Sequence, residues 1–107
     1  MYRNFDLCIT DFSSDKDPGD YWYDCAIVES TDMLSKFKES DWKCLFSDLA
    51  NKPIFWKIRL IECLGGLNNS YELEVILYLI NTDDNNLFYS CLDSLRSMEI
   101  CSLAEGD

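Results

Sequence analysis

The apolar residues of this chain recur every three or four positions over most of its length, which is the spacing of amphipathic helices. This pattern predicts five helices, at 21–37, 41–50, 53–64, 71–81 and 87–99. The first twelve residues are less clear, because Phe5, Leu7 and Ile9 alternate as they would in a strand, while Phe5, Ile9 and Phe12 suit a helix. The helical pattern that follows favours a helix here too.

The boundaries of these helices are indicated by residues that commonly begin or end them. The segment 13–20 is a loop by composition, and Gly65-Gly66 closes the helix before it. Each later helix is preceded or opened by a capping or first-turn residue, namely Asp20, Ser40 or Asp41, Pro53 and Ser70. The turn 82–86 contains Asp83 and Asp84, for which helix capping is the favoured interpretation.

Two segments, 42–64 and 73–95, repeat the same apolar pattern 31 residues apart. The matched pairs include Trp42 with Leu73, Leu45 with Ile76, Leu49 with Ile80, and Trp56 with Leu87. Similarity at a fixed period is typical of stacked helical repeats. It predicts that helices 41–50 and 71–81 lie on the same side of the stack, with Trp42 and Trp56 in the core. Tyr78, which shares a helix face with Tyr71, is also expected in the core, with Tyr71 nearer the surface.

Residues 56–95, WKIRLIECLGGLNNSYELEVILYLINTDDNNLFYSCLDSL, resemble short HEAT-like repeats. The resemblance covers roughly residues 40–99. It rests on an Arg-containing helix that ends in Leu-Gly, an Asn-rich turn, an Ile- and Leu-rich helix and an Asp-rich turn. It implies an all-α fold of five to six antiparallel helices in a single domain, 1–107. Stacked helices of this kind usually offer a binding surface and not a catalytic pocket.

The chain is strongly acidic, with 20 Asp and Glu residues against nine Lys and Arg, a net charge of −11. Most of the net negative charge lies in residues 60–107, where nine acids accompany a single basic residue, Arg96. Such a charge disfavours nucleic acid and anionic membranes as direct partners and favours a cationic protein. No apolar run is long enough for a membrane span, and no secretory signal opens the chain.

Catalytic and metal-binding patterns are absent from the sequence. There is no histidine, which excludes Ser-His-Asp and Cys-His catalysis, and no phosphate-binding loop. The six cysteines include no CxxC pair, so we expect no metal, no cofactor and six free thiols in a cytoplasmic protein. We therefore predict a protein that is not an enzyme. A DNA glycosylase with HEAT-like helices is disfavoured by the negative charge.

Small size, acidity and HEAT-like helices together resemble the bacterial immunity proteins of contact-dependent inhibition and other polymorphic toxin systems. The resemblance implies a one-to-one complex in which the chain covers the active site of a cognate toxin domain, often a basic nuclease. The alternative is a non-enzymatic adaptor or scaffold that binds a cationic cellular protein.

We expect the partner to contact polar first turns on helices 41–50 and 71–81, together with the turn that follows. The residues of this predicted acidic face are Asp41, Tyr71, Glu72, Glu74, Asp83 and Asp84, with Tyr71 as the aromatic anchor. A second patch remains the alternative, at Asp15, Asp17, Asp20 and Trp22. It adjoins three consecutive aromatic residues, 21–23, which cannot all face one core, so at least one of them should be exposed.

Overall fold

Every regular element in the described part of the chain is helical. The computed structural model describes residues 1–14, 17–67 and 69–106, with side chains up to residue 97. These residues form α1 (Tyr2–Thr10), a π-helical turn (Trp22–Ala26), α2 (Ile27–Ser35), α3 (Glu39–Leu49), α4 (Ile54–Glu62), α5 (Ser70–Leu79) and α6 (Asn85–Gly106). The prediction of an all-α, repeat-like fold is confirmed.

The ambiguous first segment is a helix. Phe5 and Ile9, one turn apart, are both completely buried, while Leu7 between them is 62% exposed. The Phe5 ring makes edge contacts with Phe37 at 5.6 Å and with Trp56 at 6.3 Å between ring centroids. This period of four identifies α1 as an amphipathic helix that packs its apolar face on the rest of the molecule.

The core is one cluster to which all the helices contribute. α1 packs against α2, α3 and α4, and α6 packs against both α4 and α5. The largest completely buried apolar side chains come from every helix before α6 and include Trp22, Trp42 and Trp56. α6 adds Leu87 and Cys91, one turn apart. The stacking of α6 on α4 follows the order in which a helical repeat places equivalent helices side by side.

The caps of α3 and α5 differ from those expected. α3 begins at Glu39, so Asp41 is its third residue, and the Asp41 Oδ2 atom accepts a hydrogen bond from the Lys38 backbone N–H at 2.9 Å. α5 begins at Ser70, one residue before the predicted start. Its N-cap is Asn69, whose side chain accepts a hydrogen bond from the Glu72 N–H at 3.1 Å. The predicted caps were therefore wrong, because the N-cap of α3 is Lys38, two residues before Ser40 and three before Asp41, and the N-cap of α5 is one residue before Ser70.

The other boundaries agree more closely with the sequence pattern. Pro53 has an extended backbone and precedes α4, and Gly65 follows the end of α4 with a φ of 116°, a conformation that favours glycine. The Asp84 Oδ1 atom accepts a hydrogen bond from the Leu87 N–H at 2.9 Å. Asp84 thus caps α6, as its position in the turn suggested. α6 continues to Gly106, beyond the predicted end at residue 99.

The two halves of the repeat are offset by different numbers of residues. α4 and α6 keep the offset of 31, since Trp56 and Leu87 are buried, as are Leu60 and Cys91. For α3 and α5 the burial matches at an offset of 30, which pairs Trp42 with Glu72, Leu45 with Val75, and Leu49 with Leu79. The predicted pairing of Trp42 with Leu73 was therefore one residue off. The turn before α6, 80–84, is one residue longer than the turn before α4, 50–53, and this accounts for the difference.

The π-helical turn keeps one row of side chains on the core. Helical backbone runs from Asp20 to Ser35, close to the predicted helix 21–37, and includes the π turn near its start. Trp22, Ala26, Ser30 and Leu34 are all buried at a constant spacing of four. Each such step advances an α-helix by about 40°, so a continuous α-helix would turn this row away from the core. The wider π turn offsets part of that drift.

Candidate partner-binding surfaces

Asp41, the first residue of the predicted acidic face, is engaged by the chain itself. Its carboxylate accepts hydrogen bonds from the backbone N–H groups of Lys38 at 2.9 Å and Tyr2 at 3.2 Å, and it lies 3.5 Å from the N-terminal ammonium group. These interactions, with the Lys38 hydrogen bond as the largest, lower the pKa of Asp41. Asp41 therefore ties the start of α1 to the start of α3.

Glu72 does not lie on the surface, which corrects its prediction as a partner-binding residue. It is 2% exposed, and its Oε1 atom accepts hydrogen bonds from the Gly65 N–H at 2.7 Å and the Leu67 N–H at 3.4 Å. A buried carboxylate is stable only when its oxygens have such donors. Glu72 thus stabilises the connection between α4 and α5 through hydrogen bonds to its backbone.

The remaining members of the predicted face are divided between packing and solvent. Tyr71 is half-buried and stacks on Trp42, with ring centroids 5.1 Å apart and an interplanar angle of 11°. This stacking covers one face of the Tyr71 ring. Asp84 caps α6, whereas Glu74 and Asp83 are exposed. Of the four predicted acids on or next to α5, only these two are therefore fully available to a partner.

The exposed side of α5 is mostly apolar. We use the name outer face of α5 for Leu73, Glu74, Leu77 and Tyr78, which are all exposed. Leu73 is 39% exposed, Leu77 50% and Tyr78 53%. The prediction that Tyr78 belongs to the core was wrong, because the side of α5 that packs on the core carries Glu72, Val75, Ile76 and Leu79. Four residues in two adjacent pairs, one turn apart, present a continuous strip along the helix.

In the alternative patch, the structure buries the tryptophan and exposes its neighbours. Trp22 is completely buried, and its Nε1–H donates a hydrogen bond to Glu62 Oε1 at 3.1 Å. Tyr21 is 60% exposed and Tyr23 is 51% exposed, which confirms that the aromatic triplet cannot share one core. The aromatic residues available to a partner are therefore these two tyrosines.

The acids of this patch surround the exposed tyrosines. Asp17, Asp20 and Asp24 are exposed, and Asp17 accepts a hydrogen bond from the Gly19 N–H at 2.9 Å. Asp15 lies outside the described residues. We use the name π-turn surface for Asp17, Asp20, Tyr21, Tyr23 and Asp24. Residues 17–35 contain five acids and no Lys or Arg, so nothing basic within this segment neutralises the surface.

Glu62 links the π-turn surface to the core, a function that sequence reasoning did not identify. Its carboxylate accepts hydrogen bonds from Trp22 and from the Tyr23 hydroxyl at 3.2 Å. It also accepts one from Arg59 at 2.5 Å. Arg59 is 1% exposed and donates from Nε to the Phe12 carbonyl at 2.9 Å. The Arg-x-x-Glu spacing in α4 was the available signal, since residues three apart share a helix face.

Burial and the nearby carboxylate raise the pKa of Tyr23 above its ordinary value. Its hydroxyl therefore stays protonated at neutral pH and donates to Glu62. The consequence is a fixed orientation for one of the two exposed rings. An aromatic side chain that is already ordered loses little conformational freedom when a partner binds it.

A groove of about 250 Å³ between α4 and α6 also has Glu62 in its wall. Its other polar lining residues are Asp93 and three serines, Ser90, Ser94 and Ser97. Both carboxylates already lie beside a basic side chain, Glu62 beside Arg59 and Asp93 at 3.9 Å from Arg96, so the groove by itself indicates no charged ligand. Among the described residues, no three His, Cys, Asp or Glu side chains are grouped as metal ligands would be.

The cysteines divide into two classes by exposure. The five described cysteines are unpaired in the structure, and Cys101 has a side chain outside the described part. Cys63 and Cys91 are buried, and burial raises the pKa of both thiols, to about 11 for Cys91. Cys25 and Cys44 are exposed, and Cys8 is half-buried. Six free thiols remain a prediction.

No family model, curated protein or solved structure matches this chain. Within the described residues, no helix combines the length and the apolar character that crossing a bilayer requires. The function is therefore inferred from the resemblance in the sequence and from the charge and shape of the surface.

Proposed function

We propose that this protein is a non-enzymatic inhibitor of the immunity type, which binds a basic toxin domain one-to-one in the cytoplasm of the cell that produces it. The proposal joins the sequence resemblance to small HEAT-like immunity proteins with a surface suited to a cationic partner. A toxin that acts on nucleic acid has a basic cleft, and an acidic protein surface can occupy that cleft in place of the phosphate backbone.

The observation that carries the proposal is the π-turn surface. It combines two exposed tyrosines with three exposed aspartates, in a segment that contains no basic residue. Tyrosine is enriched among the residues that dominate binding energy at protein interfaces. π-helical turns are rare and are often found at functional sites. The aspartates supply the attraction that brings a basic partner to this place.

The side chains beneath the π-turn surface are held in place by hydrogen bonds. Below the exposed rings lie Trp22, Arg59 and Glu62, which are joined by hydrogen bonds of 2.5–3.1 Å. Tyr21 stacks on Phe12, with ring centroids 6.1 Å apart. Because the two tyrosine side chains are already ordered in the free protein, they lose little conformational entropy when a partner binds.

Charge and aromatic contacts should have separable effects on the complex. Acids near the edge of an interface mainly raise the association rate, while buried aromatic anchors lower the dissociation rate. Complementary fields can accelerate association by about 10–10³-fold at low ionic strength. We therefore expect strong salt dependence in the association rate and little in the dissociation rate.

The experiment pairs the chain with the C-terminal domain of a protein encoded directly upstream of its gene. The two are co-expressed, and light scattering after gel filtration measures the stoichiometry. We expect a one-to-one complex in which the toxin is inactive. The Asp20→Lys/Asp24→Lys variant should slow association by about tenfold or more at low salt. Tyr21→Ala/Tyr23→Ala should instead accelerate dissociation.

The matched control is Glu29→Lys/Glu39→Lys, which changes the net charge equally at two exposed positions on α2 and α3. If it slows association as much as the π-turn variant, the net charge and not the π-turn surface directs binding. A complex that leaves the upstream domain fully active would contradict the inhibitor function and favour the adaptor alternative.

A further inference from the structure

We propose that the outer face of α5 is a second docking surface, which receives a protein segment with apolar side chains bordered by Lys or Arg. This surface is separate from the π-turn surface, and the proposal does not depend on the proposed function. Leu73, Leu77 and Tyr78 are 39–53% exposed, and Glu74 lies among them.

The equivalent helix of the same chain shows that the fold does not require these apolar residues. The outer face of α5 has an exposed counterpart on α3, 30 residues earlier in the chain. Its residues, in the same order, are Lys43, Cys44, Ser47 and Asp48. At three of the four positions α3 therefore carries a charged residue or serine, whereas α5 carries leucine or tyrosine. A helix at this place in the stack folds with a polar outer face, so the apolar one needs another explanation.

The core does not provide that explanation. α5 attaches to the rest of the molecule through Val75, Ile76 and Leu79, which are at most 4% exposed, and through the buried Glu72. Leu73 and Leu77 lie one turn apart on the opposite side. Adjacent exposed apolar residues bordered by polar ones are typical of protein-binding surfaces.

Charge identifies the kind of partner. Glu74 lies within the strip, and Asp83 is exposed in the turn that follows α5. Residues 60–95 contain no Lys or Arg. The basic residue that the structure places beside the strip is Lys57 of α4, which lines a groove together with Tyr78 and Thr82. In a second copy, the same strip would bring Glu74 toward another acidic surface. A segment with basic residues beside its apolar ones complements the face, and self-association does not.

The strip also has the dimensions of a known mode of recognition. Apolar residues at positions i, i+4 and i+5 of one helix match the apolar face of a second amphipathic helix laid along it. A partner helix with leucines at the same period would cover Leu73 and Leu77, and a lysine at its edge would reach Glu74. Apolar contact would then provide affinity, and the ion pair would fix the orientation.

The test uses two synthetic 18-residue amphipathic peptides as probes, one with leucines and lysines and one with glutamates in place of the lysines. Binding to the ¹⁵N-labelled chain is followed by NMR. We expect the lysine peptide to shift the amide signals of residues 73–78. The glutamate peptide should bind at least about tenfold more weakly, because it opposes Glu74.

The decisive variant transfers the outer face of α3 onto α5 as Leu73→Lys/Leu77→Ser/Tyr78→Asp, which leaves the net charge unchanged. We expect the lysine peptide to bind it at least about tenfold more weakly. The reciprocal variant Lys43→Leu/Ser47→Leu/Asp48→Tyr also conserves net charge and keeps α5 intact. It should bind the peptide at α5 with undiminished affinity. The positions are exposed, so both variants should retain the native circular dichroism spectrum.

Three results would overturn the proposal. The first is equal affinity of the lysine peptide for the wild type and the α5 variant. The second is a wild-type dimer in sedimentation experiments that the α5 variant cannot form, which would assign the face to a second copy. The third is binding of the wild type, but not of the α5 variant, to phosphatidylcholine vesicles, which would assign the face to a lipid surface.

Discussion

Helices α3 and α5 occupy equivalent places in the repeat but differ in the polarity of their buried and exposed positions. α3 buries Trp42 and exposes Asp48, whereas α5 buries Glu72 and exposes Leu77 and Tyr78. α3 follows the amphipathic rule, and α5 breaks it on both sides. The difference shows that a place in the fold fixes which positions are covered, but not the chemistry of the residues at those positions.

Each departure in α5 has its own cause. Inside, the Glu72 carboxylate accepts hydrogen bonds from the N–H groups of Gly65 and Leu67 in the turn after α4. The equivalent residue of α3, Trp42, packs on the Phe37 ring, with centroids 5.0 Å apart. Outside, about half of the Leu77 and Tyr78 side chains stays exposed, and this is the basis for a docking surface.

The largest effect should come from Trp42, the buried anchor of α3. Trp42→Ala removes ring contacts with Phe37 and Tyr71 and leaves a cavity, and we expect it to lower the free energy of unfolding by about 3–5 kcal/mol. Urea denaturation followed by circular dichroism measures the change. A loss as small as that of an exposed substitution would show that α3 is not anchored through this residue.

The equivalent residue of α5 should have a smaller but distinct effect. Glu72→Ala leaves the Gly65 and Leu67 N–H groups without their carboxylate acceptor, and we expect a loss of about 1–3 kcal/mol. Glu74→Ala is the matched control and should change stability by about 0.5 kcal/mol or less, since Glu74 is exposed. Equal effects of the two substitutions would contradict the burial register of α5.

The helix starts provide a comparison that depends on pH. At the start of α3 a backbone N–H donates to the Asp41 carboxylate, whereas at the start of α5 a backbone N–H donates to the neutral side-chain amide of Asn69. The pKa of Asp41 is lowered in the folded state, chiefly by the Lys38 backbone hydrogen bond. Its contribution to stability is therefore complete above the unfolded-state pKa, about 4, and is lost as the pH falls through the lowered folded-state value.

We expect Asp41→Asn to cost about 1 kcal/mol at pH 7, the size of a typical helix cap, and progressively less in acid. Asn69→Ala should cost a similar amount, and its cost should not depend on pH. Chemical denaturation of both variants between pH 2 and pH 7 tests the contrast. A cost for Asp41→Asn that stays constant down to pH 2 would show that its charge does not matter.

The smallest effect on stability should come from the outer faces. Leu77→Ser and Ser47→Leu exchange the residues of two equivalent exposed positions, and each should change the free energy of unfolding by about 0.5 kcal/mol or less. Thermal denaturation measures both. A clear destabilisation by Leu77→Ser would mean that the outer face of α5 is needed for folding, and the argument for a partner there would fail.

The sequence was sufficient to predict the helices but not the register of every one. α3 buries the residues that periodicity selects, since its apolar residues Trp42, Leu45 and Leu49 lie on one side. The offset of 31 correctly pairs the buried Trp56 of α4 with the buried Leu87 of α6. In α5, apolar residues lie on both sides, and the similarity at an offset of 31 placed Leu73 inside. Hydrophobic periodicity cannot choose between two apolar faces, and the deciding partner of Glu72 is a backbone group seven residues earlier.

The candidate surfaces were predictable only in outline. Local composition was enough to select the neighbourhood of residues 15–24 as acidic and aromatic. Which ring is exposed depends on the π turn and on the hydrogen bond from Trp22 to Glu62, forty residues away along the chain. The sequence does not show which acids of the predicted face cap a helix, which stabilise a loop and which remain exposed.

The burial of all three tryptophans gives the protein a built-in optical signal. Trp22, Trp42 and Trp56 are at most 2% exposed and lie in the π turn, α3 and α4. Native emission should therefore occur at short wavelength and resist quenching by acrylamide. A shift toward the emission of solvated indole would report disruption at any of the three sites. Because the exposed aromatic residues of the π-turn surface are tyrosines, a partner that binds there should leave the tryptophan emission unchanged, and the signal should report unfolding alone.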